Sequence, residues 1–343
     1  MPTYFSPPFS SLTRRQTLAS GLALSLGALS SPWANAQALA PIDEVWQDTQ
    51  RQRGLPVRIR WPSDALPKPA GGWPVVLFSH GLGGTRAGGE VWGQAWAAAG
   101  FVVVHLQHPG SDLDAVRQVA SSFSDRAALR DLGSATQLLA RLQDVVFVLD
   151  EVARRHSSHA RWAAVRPDAV GLSGHSFGAH TTLGAGGQAY PGFAAIREPR
   201  LAALIAFSPT LPAAGDAQKA FAAVVRPTLC ITGTRDDDVL GNGATPEKRA
   251  GVFAALPAGH KAQLLLKDAD HMTFGGQTGR AAGILPREAV TQQLQAQHHA
   301  LVASITTDWW LAHLAGDVAV KAAAKARLVQ PQGLAAQDIW QAG

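Results

Sequence analysis

The sequence predicts an α/β protein with a mostly parallel, twisted sheet and helices on both faces. Apolar strands alternate with stretches in which apolar residues recur at helical spacing, a pattern typical of parallel sheets. Residues 174–178 read G-x-S-x-G, between a short apolar strand at 168–172 and a predicted helix start at 179–183. A serine on such a turn is displayed above the sheet edge. The flanking glycines suit the turn because they carry no Cβ.

The elements before this turn follow from the apolar pattern. In chain order we predict a strand at 57–61, a strand at 73–78, a helix at 88–99 and a strand at 101–106. Residues 107–133 are polar and irregular, and we expect them to form a rim or partial lid over the site. Leucine and valine recur at helical spacing from Thr136 to Arg155, which predicts a long helix.

The elements after the turn continue the alternation. We predict strands at 201–207, 228–233 and 262–267, and helices near 246–255 and 287–314. The first two of these strands lie too close in sequence to enclose a large cap domain. We therefore expect one domain over residues 37–315, followed by a tail at 316–343 that forms a short helix.

The first 36 residues have the features of an export signal. A twin arginine, Arg14–Arg15, precedes an apolar run from Leu18 to Leu29, and Ala34–Ala36 is a small-x-small cleavage site. The segment resembles a bacterial twin-arginine signal, although Thr17 leaves the general secretory route open. The apolar run is shorter than the roughly 20 residues that span a bilayer. We predict a periplasmic or secreted protein that uses the twin-arginine export machinery and has no stable membrane anchor.

Composition argues against several other functions. The formal net charge is +5, and lysine and arginine are scattered, so nucleic-acid binding is not predicted. The single cysteine, Cys230, cannot form an internal disulfide and lies in an apolar strand, where we expect a core residue. None of the 12 histidines shares a metal-ligand pattern with cysteine or carboxylate residues. We therefore predict no catalytic metal and no cofactor.

A serine nucleophile needs a base and an acid, and both follow Ser176 at predicted strand ends. A serine hydroxyl needs a base to take its proton and a third group to hold that base. His271 follows the last predicted strand, and Asp236 follows the strand at 228–233, so the order is Ser, acid, His. Asp237 and Asp238 are alternative acids, and the triplet is also compatible with a solvated turn or a cation site.

Acyl transfer also needs donors aimed at the developing oxyanion. We predict the backbone N–H groups of Phe177 and of Leu82, the latter in the glycine-rich loop at 79–84. Gly81 and Phe274 are predicted to contact substrate. His175 is expected to pack or hydrogen-bond beneath the turn. Four further histidines lie in polar helical stretches and are predicted to be on the surface: His156, His159, His298 and His299.

Together these segments resemble the α/β-hydrolase superfamily, and more narrowly the bacterial predicted dienelactone hydrolases and platelet-activating-factor acetylhydrolase-like serine esterases. The resemblance spans about residues 55–315 and is carried by five segments: 78–83, 100–112, 174–178, 232–237 and 269–274. It implies an α/β-hydrolase fold without a large cap and serine-dependent ester hydrolysis. Dienelactone hydrolases use a cysteine nucleophile where this chain has Ser176. The acetylhydrolases take their acid from an earlier loop, which makes Asp216 a further alternative.

The predicted function is an exported serine esterase. Its substrate is a small-molecule or polymeric carboxylic ester, cleaved through an acyl-enzyme. Two alternatives stay open: an acyltransferase with the same triad, and a non-catalytic periplasmic binding protein of the same fold.

Overall fold

The computed structural model describes residues 39–119, 125–192, 195–279 and 286–343. The predicted export signal at 1–36 lies outside these ranges. The strands are β1 (Ile42–Asp48), β2 (Arg53–Arg60), β3 (Trp73–Ser79), β4 (Val102–Leu106), β5 (Val165–His175), β6 (Leu201–Phe207), β7 (Thr228–Arg235), β8 (Lys261–Asp270) and β9 (Ile339–Ala342). The helices are α1 (Glu90–Ala98), α2 (Leu113–Val119), α3 (Arg126–Leu132), α4 (Ala135–Ser158), α5 (Phe177–Ala185), α6 (Ala217–Phe221), α7 (Pro246–Ala255), α8 (Ala289–Leu314) and α9 (Val318–Val329).

These strands form one sheet in the order β1-β2-β4-β3-β5-β6-β7-β8-β9. Neighbouring strands from β4 to β8 are parallel, whereas β1, β2 and β9 are antiparallel to their neighbours. The architecture confirms the predicted α/β-hydrolase fold class. No helix in the described ranges is both long enough and apolar enough to cross a bilayer.

The core lies on both faces of the sheet. In β3, Val75 and Leu77 pack into one apolar cluster, whereas Val76 and Phe78 pack into the other. Helices α4 and α5 cover the first face, and α1 and α8 cover the second. Because both faces of β3 are buried, its sequence is a continuous apolar run instead of an alternating one. This double burial fixes the strand ends from which the site is built.

The C-terminal tail contains more than the predicted short helix. Helix α9 is followed by β9, which pairs antiparallel with β8 from Ala262↔Ala342 to Leu265↔Ile339. The residues after 315 therefore complete one edge of the sheet.

Candidate active site

Ser176 lies on a sharp turn between β5 and α5. Its backbone has φ 56° and ψ −113°, a conformation that non-glycine residues rarely adopt. The turn is enclosed by backbone: a Cβ at Gly178 would lie 1.9 Å from the Ser79 carbonyl oxygen, and one at Gly174 would lie 2.3 Å from the Gly178 oxygen. The Ser176 N–H donates to the Phe207 carbonyl over 2.9 Å. Only glycine fits two positions before and two positions after this serine.

Two neighbouring strands bring Asp236 and His271 together. Arg235 of β7 pairs with Asp270 of β8, so the next residue of each strand leaves the sheet side by side. His271 Nδ1 donates to Asp236 Oδ1 over 2.7 Å, and both side chains are buried. The bond orients the imidazole and leaves its other nitrogen, Nε2, available for proton transfer.

Asp236 is held as a carboxylate by further contacts. Thr232 Oγ1 donates to Oδ2 over 2.8 Å, and the buried Arg249 guanidinium lies 3.0 Å from Oδ1. Burial alone would raise the pKa of Asp236. The charges of Arg249 and His271 lower it by a larger amount, so this pKa lies well below its ordinary value. Arg249 also donates to the Asp236 and Ser208 carbonyls, which fixes the loop that carries the acid.

The other candidate acids have different partners. Asp237 is exposed, whereas Asp238 accepts N–H groups from Leu240 and Gly241 within its own turn. Asp216 caps α6 by accepting the Lys219 N–H over 3.2 Å. Of these four carboxylates, Asp236 is the one in contact with His271.

Ser176 lies where two cavities meet. The large cavity has a volume of about 350 Å³ and is lined by Phe177, Leu138 and Tyr190 among others. The small cavity, of about 100 Å³, is lined by Gly81, His271 and Met272 among others. Ser176 and Leu82 line both. No hydrogen bond joins the Ser176 hydroxyl to the His271 ring in this structure, a contact that in hydrolases often tightens only when substrate binds.

The glycine-rich loop after β3 passes directly beside the serine. A Cβ at Gly81 would lie 3.4 Å from the Ser176 Cβ, and Leu82 follows. Phe177 is the first residue of α5, where backbone N–H groups have no partner within the helix. Both predicted oxyanion donors therefore belong to residues that line the large cavity.

Residues 55–128 match the profile of the family described as platelet-activating factor acetylhydrolase, isoform II. This stretch includes β3, the loop beside Ser176 and β4. With the parallel sheet and its flanking helices, this match supports an α/β-hydrolase fold. The match confirms the resemblance to acetylhydrolase-like enzymes and supports a hydrolase that acts on esters. A comparison with curated proteins gives no match.

A buried polar network that the sequence did not reveal supports the loop beside Ser176. Ser79 Oγ lies 2.9 Å from His108 Nε2, and His108 Nδ1 lies 2.9 Å from Asp144 Oδ2. All three residues are 0% exposed, so this second Ser-His-Asp chain is inaccessible to substrate. Burial and the nearby Arg141 charge lower the pKa of His108 to about 4, so its ring is neutral at pH 7. These hydrogen bonds from Ser79 through His108 to Asp144 anchor β3 to α4.

His80 links this network to the loop. Its Nε2 accepts the His108 N–H over 2.9 Å, so the proton of the neutral ring is on Nδ1, which donates to the Gly81 carbonyl over 2.6 Å. Burial and the Arg141 charge lower the pKa of His80 well below its ordinary value. The segments 78–83 and 100–112, which the sequence analysis singled out, contain Ser79, His80 and His108, but nothing in the sequence connects them with Asp144.

Several side chains lie elsewhere than predicted. Phe274 is 0% exposed and packs in the core, where its carbonyl accepts the Trp92 N–H, so its ring does not reach either cavity. His298 and His299 are buried, not on the surface, because α8 packs against the loop after β8, where His299 Nε2 bonds to the Thr273 carbonyl. Sequence periodicity missed them because their helix stretch is polar.

His175 is buried and hydrogen-bonded, as predicted, and its partner is the backbone of His271. Its ring centroid lies 4.6 Å from that of His271, and its Nε2 lies 2.9 Å from the His271 carbonyl oxygen. Burial and the neighbouring His271 ring lower the pKa of His175 well below its ordinary value. A neutral His175 that donates to this carbonyl supports the backbone of the proposed base.

The described part of the predicted rim contributes to the large cavity. Leu129, Arg130 and Gly133 line the large cavity, whereas residues 120–124 of the predicted rim lie outside the described ranges. Among the described residues, no group of three or more His, Cys, Asp or Glu side chains is arranged to hold a metal ion.

Proposed function

We propose that the protein is an exported serine esterase that hydrolyses carboxylic esters through Ser176, His271 and Asp236. The observation that carries the proposal is the buried His271–Asp236 pair beside a strained serine, at the junction of two cavities. A strained turn at a cavity is typical of a nucleophile, because the strain holds the hydroxyl in place.

The reaction has two matching steps. In the first, the Ser176 hydroxyl oxygen bonds to the carbonyl carbon while His271 Nε2 takes its proton, and the carbonyl electrons move to the oxygen. The tetrahedral intermediate then collapses, the bond to the alcohol breaks, and His271 donates the proton to the leaving oxygen. Water repeats the sequence on the acyl-enzyme and frees Ser176 and the acid.

The remaining groups stabilise the charges that develop during the reaction. Asp236 holds the imidazole in the tautomer that accepts the serine proton and stabilises the imidazolium that forms. The N–H groups of Leu82 and Phe177 stabilise the oxyanion. Donors of this kind each contribute about 10²–10³ in kcat.

The deciding experiment replaces the nucleophile. We expect Ser176→Ala to abolish hydrolysis of p-nitrophenyl butyrate and labelling by a fluorophosphonate, with an unchanged unfolding midpoint. The matched control is Ser157→Ala, an exposed serine on α4, which should keep full activity and labelling. Activity retained in Ser176→Ala would refute the proposal, and an unlabelled wild-type serine would favour the non-catalytic binding protein.

Hydrolysis and acyl transfer are separated by an added alcohol. With the esterase, free acid stays the main product when a primary alcohol is present at millimolar concentration. A new ester as the main product would instead indicate the acyltransferase.

Export is part of the proposal and depends on residues 1–36. We expect protein recovered from the periplasm to begin after Ala36. Changing both Arg14 and Arg15 to lysine should retain the precursor in the cytoplasm. If the variant is exported normally, the general secretory route carries the protein.

A further inference from the structure

The two cavities differ in size and in the catalytic groups that they contain, and we infer from this that the preferred substrates join a long apolar acyl group to a small alcohol. The acyl group lies in the large cavity and the alcohol in the small one. This inference rests on the proposed function.

Proton delivery assigns the two sides of the ester. The leaving oxygen must come within about 3 Å of the imidazole that protonates it. His271 lines the small cavity and is absent from the lining of the large one. The alcohol therefore leaves through the small cavity. Since the carbonyl carbon is bonded to Ser176 at the junction, the rest of the acyl group extends into the large cavity.

The volumes set the sizes of the two groups. The large cavity measures about 350 Å³, against about 100 Å³ for the small one. It also shares lining residues, including His180, Tyr190 and Thr210, with an adjoining cavity of about 360 Å³. The small cavity shares Val239, His271 and Met272 with an adjoining cavity of about 160 Å³. An extended chain therefore has room on the acyl side, and the alcohol side is the smaller of the two.

The lining of the large cavity favours an apolar acyl chain. Leu82, Leu129, Leu138, Phe177 and Leu240 contribute apolar surface to it. Each methylene buried against such surface should raise kcat/KM about fourfold until the space is filled.

A pair of isomeric esters tests the orientation directly. Methyl nonanoate and octyl acetate have the same formula, but the long chain is on the acyl side in the first and on the alcohol side in the second. We expect kcat/KM, measured by acid release, to be at least tenfold higher for methyl nonanoate. Equal or faster cleavage of octyl acetate would overturn the inference and leave the proposed function intact, provided that Ser176→Ala is inactive. Loss of both activities together with loss of fluorophosphonate labelling would refute the proposed function itself.

A variant that fills the large cavity provides a second measurement. Ala244 is buried and lines both the large cavity and its extension. We expect Ala244→Phe to lower kcat/KM for methyl nonanoate at least tenfold and to lower that for methyl butyrate by a smaller factor. Ala153→Phe, on the exposed face of α4, is the size-matched control. An equal effect on both esters would contradict the assignment of the acyl group.

A separate set of contacts concerns Arg141, which we propose is a positioning residue for the Leu82 amide. Arg141 is 0% exposed on α4 and lines neither cavity. Its guanidinium donates to the His80 carbonyl over 2.6 Å and to the Gly81 carbonyl over 3.4 Å, and it lies 4.3 Å from the centroid of the Phe177 ring. It therefore contacts both elements that carry the oxyanion donors.

The geometry of one peptide unit explains how this acts on Leu82. The Gly81 carbonyl and the Leu82 N–H belong to the same peptide, and the described chain has no cis peptide. In a trans peptide these two groups point in opposite directions. Because Arg141, His80 and the Gly84 N–H all donate to the Gly81 oxygen, the Leu82 N–H points the opposite way, and we assign it to the cavities that Leu82 lines.

The test distinguishes positioning from stability. We expect Arg141→Lys, which keeps the charge but loses the planar fork, to lower kcat per active site about 10²-fold with KM changed less than threefold. Active sites are counted from the acyl-enzyme burst. Ser111→Ala removes the bond to Arg141 Nε and should lower kcat by a smaller factor. A variant with wild-type kcat per active site and only a lower unfolding midpoint would assign Arg141 a structural role alone.

Discussion

Replacing Asp236 by asparagine separates the role of the buried acid from that of its neighbours. An amide occupies the same volume but carries no charge. If its nitrogen faces His271, it donates to Nδ1 and moves the ring proton to Nε2, which leaves no acceptor for the Ser176 proton; if its oxygen faces His271, the imidazolium that forms loses its counter-charge. We expect kcat for p-nitrophenyl butyrate to fall about 10⁴-fold, the size of the loss when the triad acid is neutralised in serine proteases.

The same change should destabilise the fold through Arg249. This guanidinium is 4% exposed and lies 3.0 Å from the Asp236 carboxylate. Breaking a buried ion pair costs about 3–5 kcal/mol, and we expect about 3 kcal/mol because Arg249 keeps its bonds to two backbone carbonyls. The pKa of Asp236 is lowered in the folded state, so its stabilisation is present above the unfolded pKa near 3.8 and is lost as the pH falls below it.

The assay is kcat at pH 7 with chemical denaturation at pH 7 and pH 3. The variant should lose stability relative to wild type at pH 7, and the difference should shrink at pH 3. Asp237→Asn, an exposed neighbour, is the control and should alter neither property. A kcat within tenfold of wild type in Asp236→Asn would show that another group orients His271.

Three further outcomes are expected. Gly178→Ala should lower the free energy of unfolding by about 1–3 kcal/mol and abolish activity, because its Cβ would lie 1.9 Å from the Ser79 carbonyl oxygen. Gly71→Ala, whose Cβ would have its nearest contact at 3.4 Å, is the control and should change neither the free energy of unfolding nor the activity. Burial lowers the pKa of His105 to about 3, so unfolding takes up a proton between pH 3 and pH 6.5 and the free energy of unfolding falls as the pH is lowered. His105→Gln should reduce the slope of this free energy against pH by about 1.4 kcal/mol per pH unit. Burial raises the pKa of the Cys230 thiol to about 12, and a thiol reagent should modify it only as the protein unfolds, so modification faster than unfolding would contradict its burial.

The central strands were predictable because their burial is a property of the sheet as a whole. The predicted strand at 228–233 is Thr228–Arg235 in the structure, and the one at 262–267 is Lys261–Asp270. A strand covered by helices on both faces must be apolar throughout, and that signal survives in a single sequence. Because parallel strands end at one edge, their order along the chain also predicted where Asp236 and His271 would emerge.

The edge strands β1 and β9 were not predictable, because their formation depends on a neighbouring strand and not on their own residues. Strand β1 carries three acidic residues in seven, and β9 spans four residues near the C-terminus. Each is a strand because a neighbour offers unpaired backbone groups, Arg53–Arg60 for one and Lys261–Asp270 for the other. Local composition contains no record of that neighbour, so neither edge could be inferred from it.

The second Ser-His-Asp chain marks the limit of reasoning from residue types. Ser79, His108 and Asp144 have the same groups at hydrogen-bond distances, yet they are sealed between β3 and α4. Burial raises the pKa of Asp144, but its hydrogen bonds to His108 and Arg53 lower it by a larger amount. The resulting pKa is about 2, so this carboxylate is charged as well. What distinguishes Ser176 is its place on a strained turn that opens onto two cavities. Access to an ester, set by backbone geometry and not by the three side chains, separates a candidate nucleophile from a structural hydroxyl.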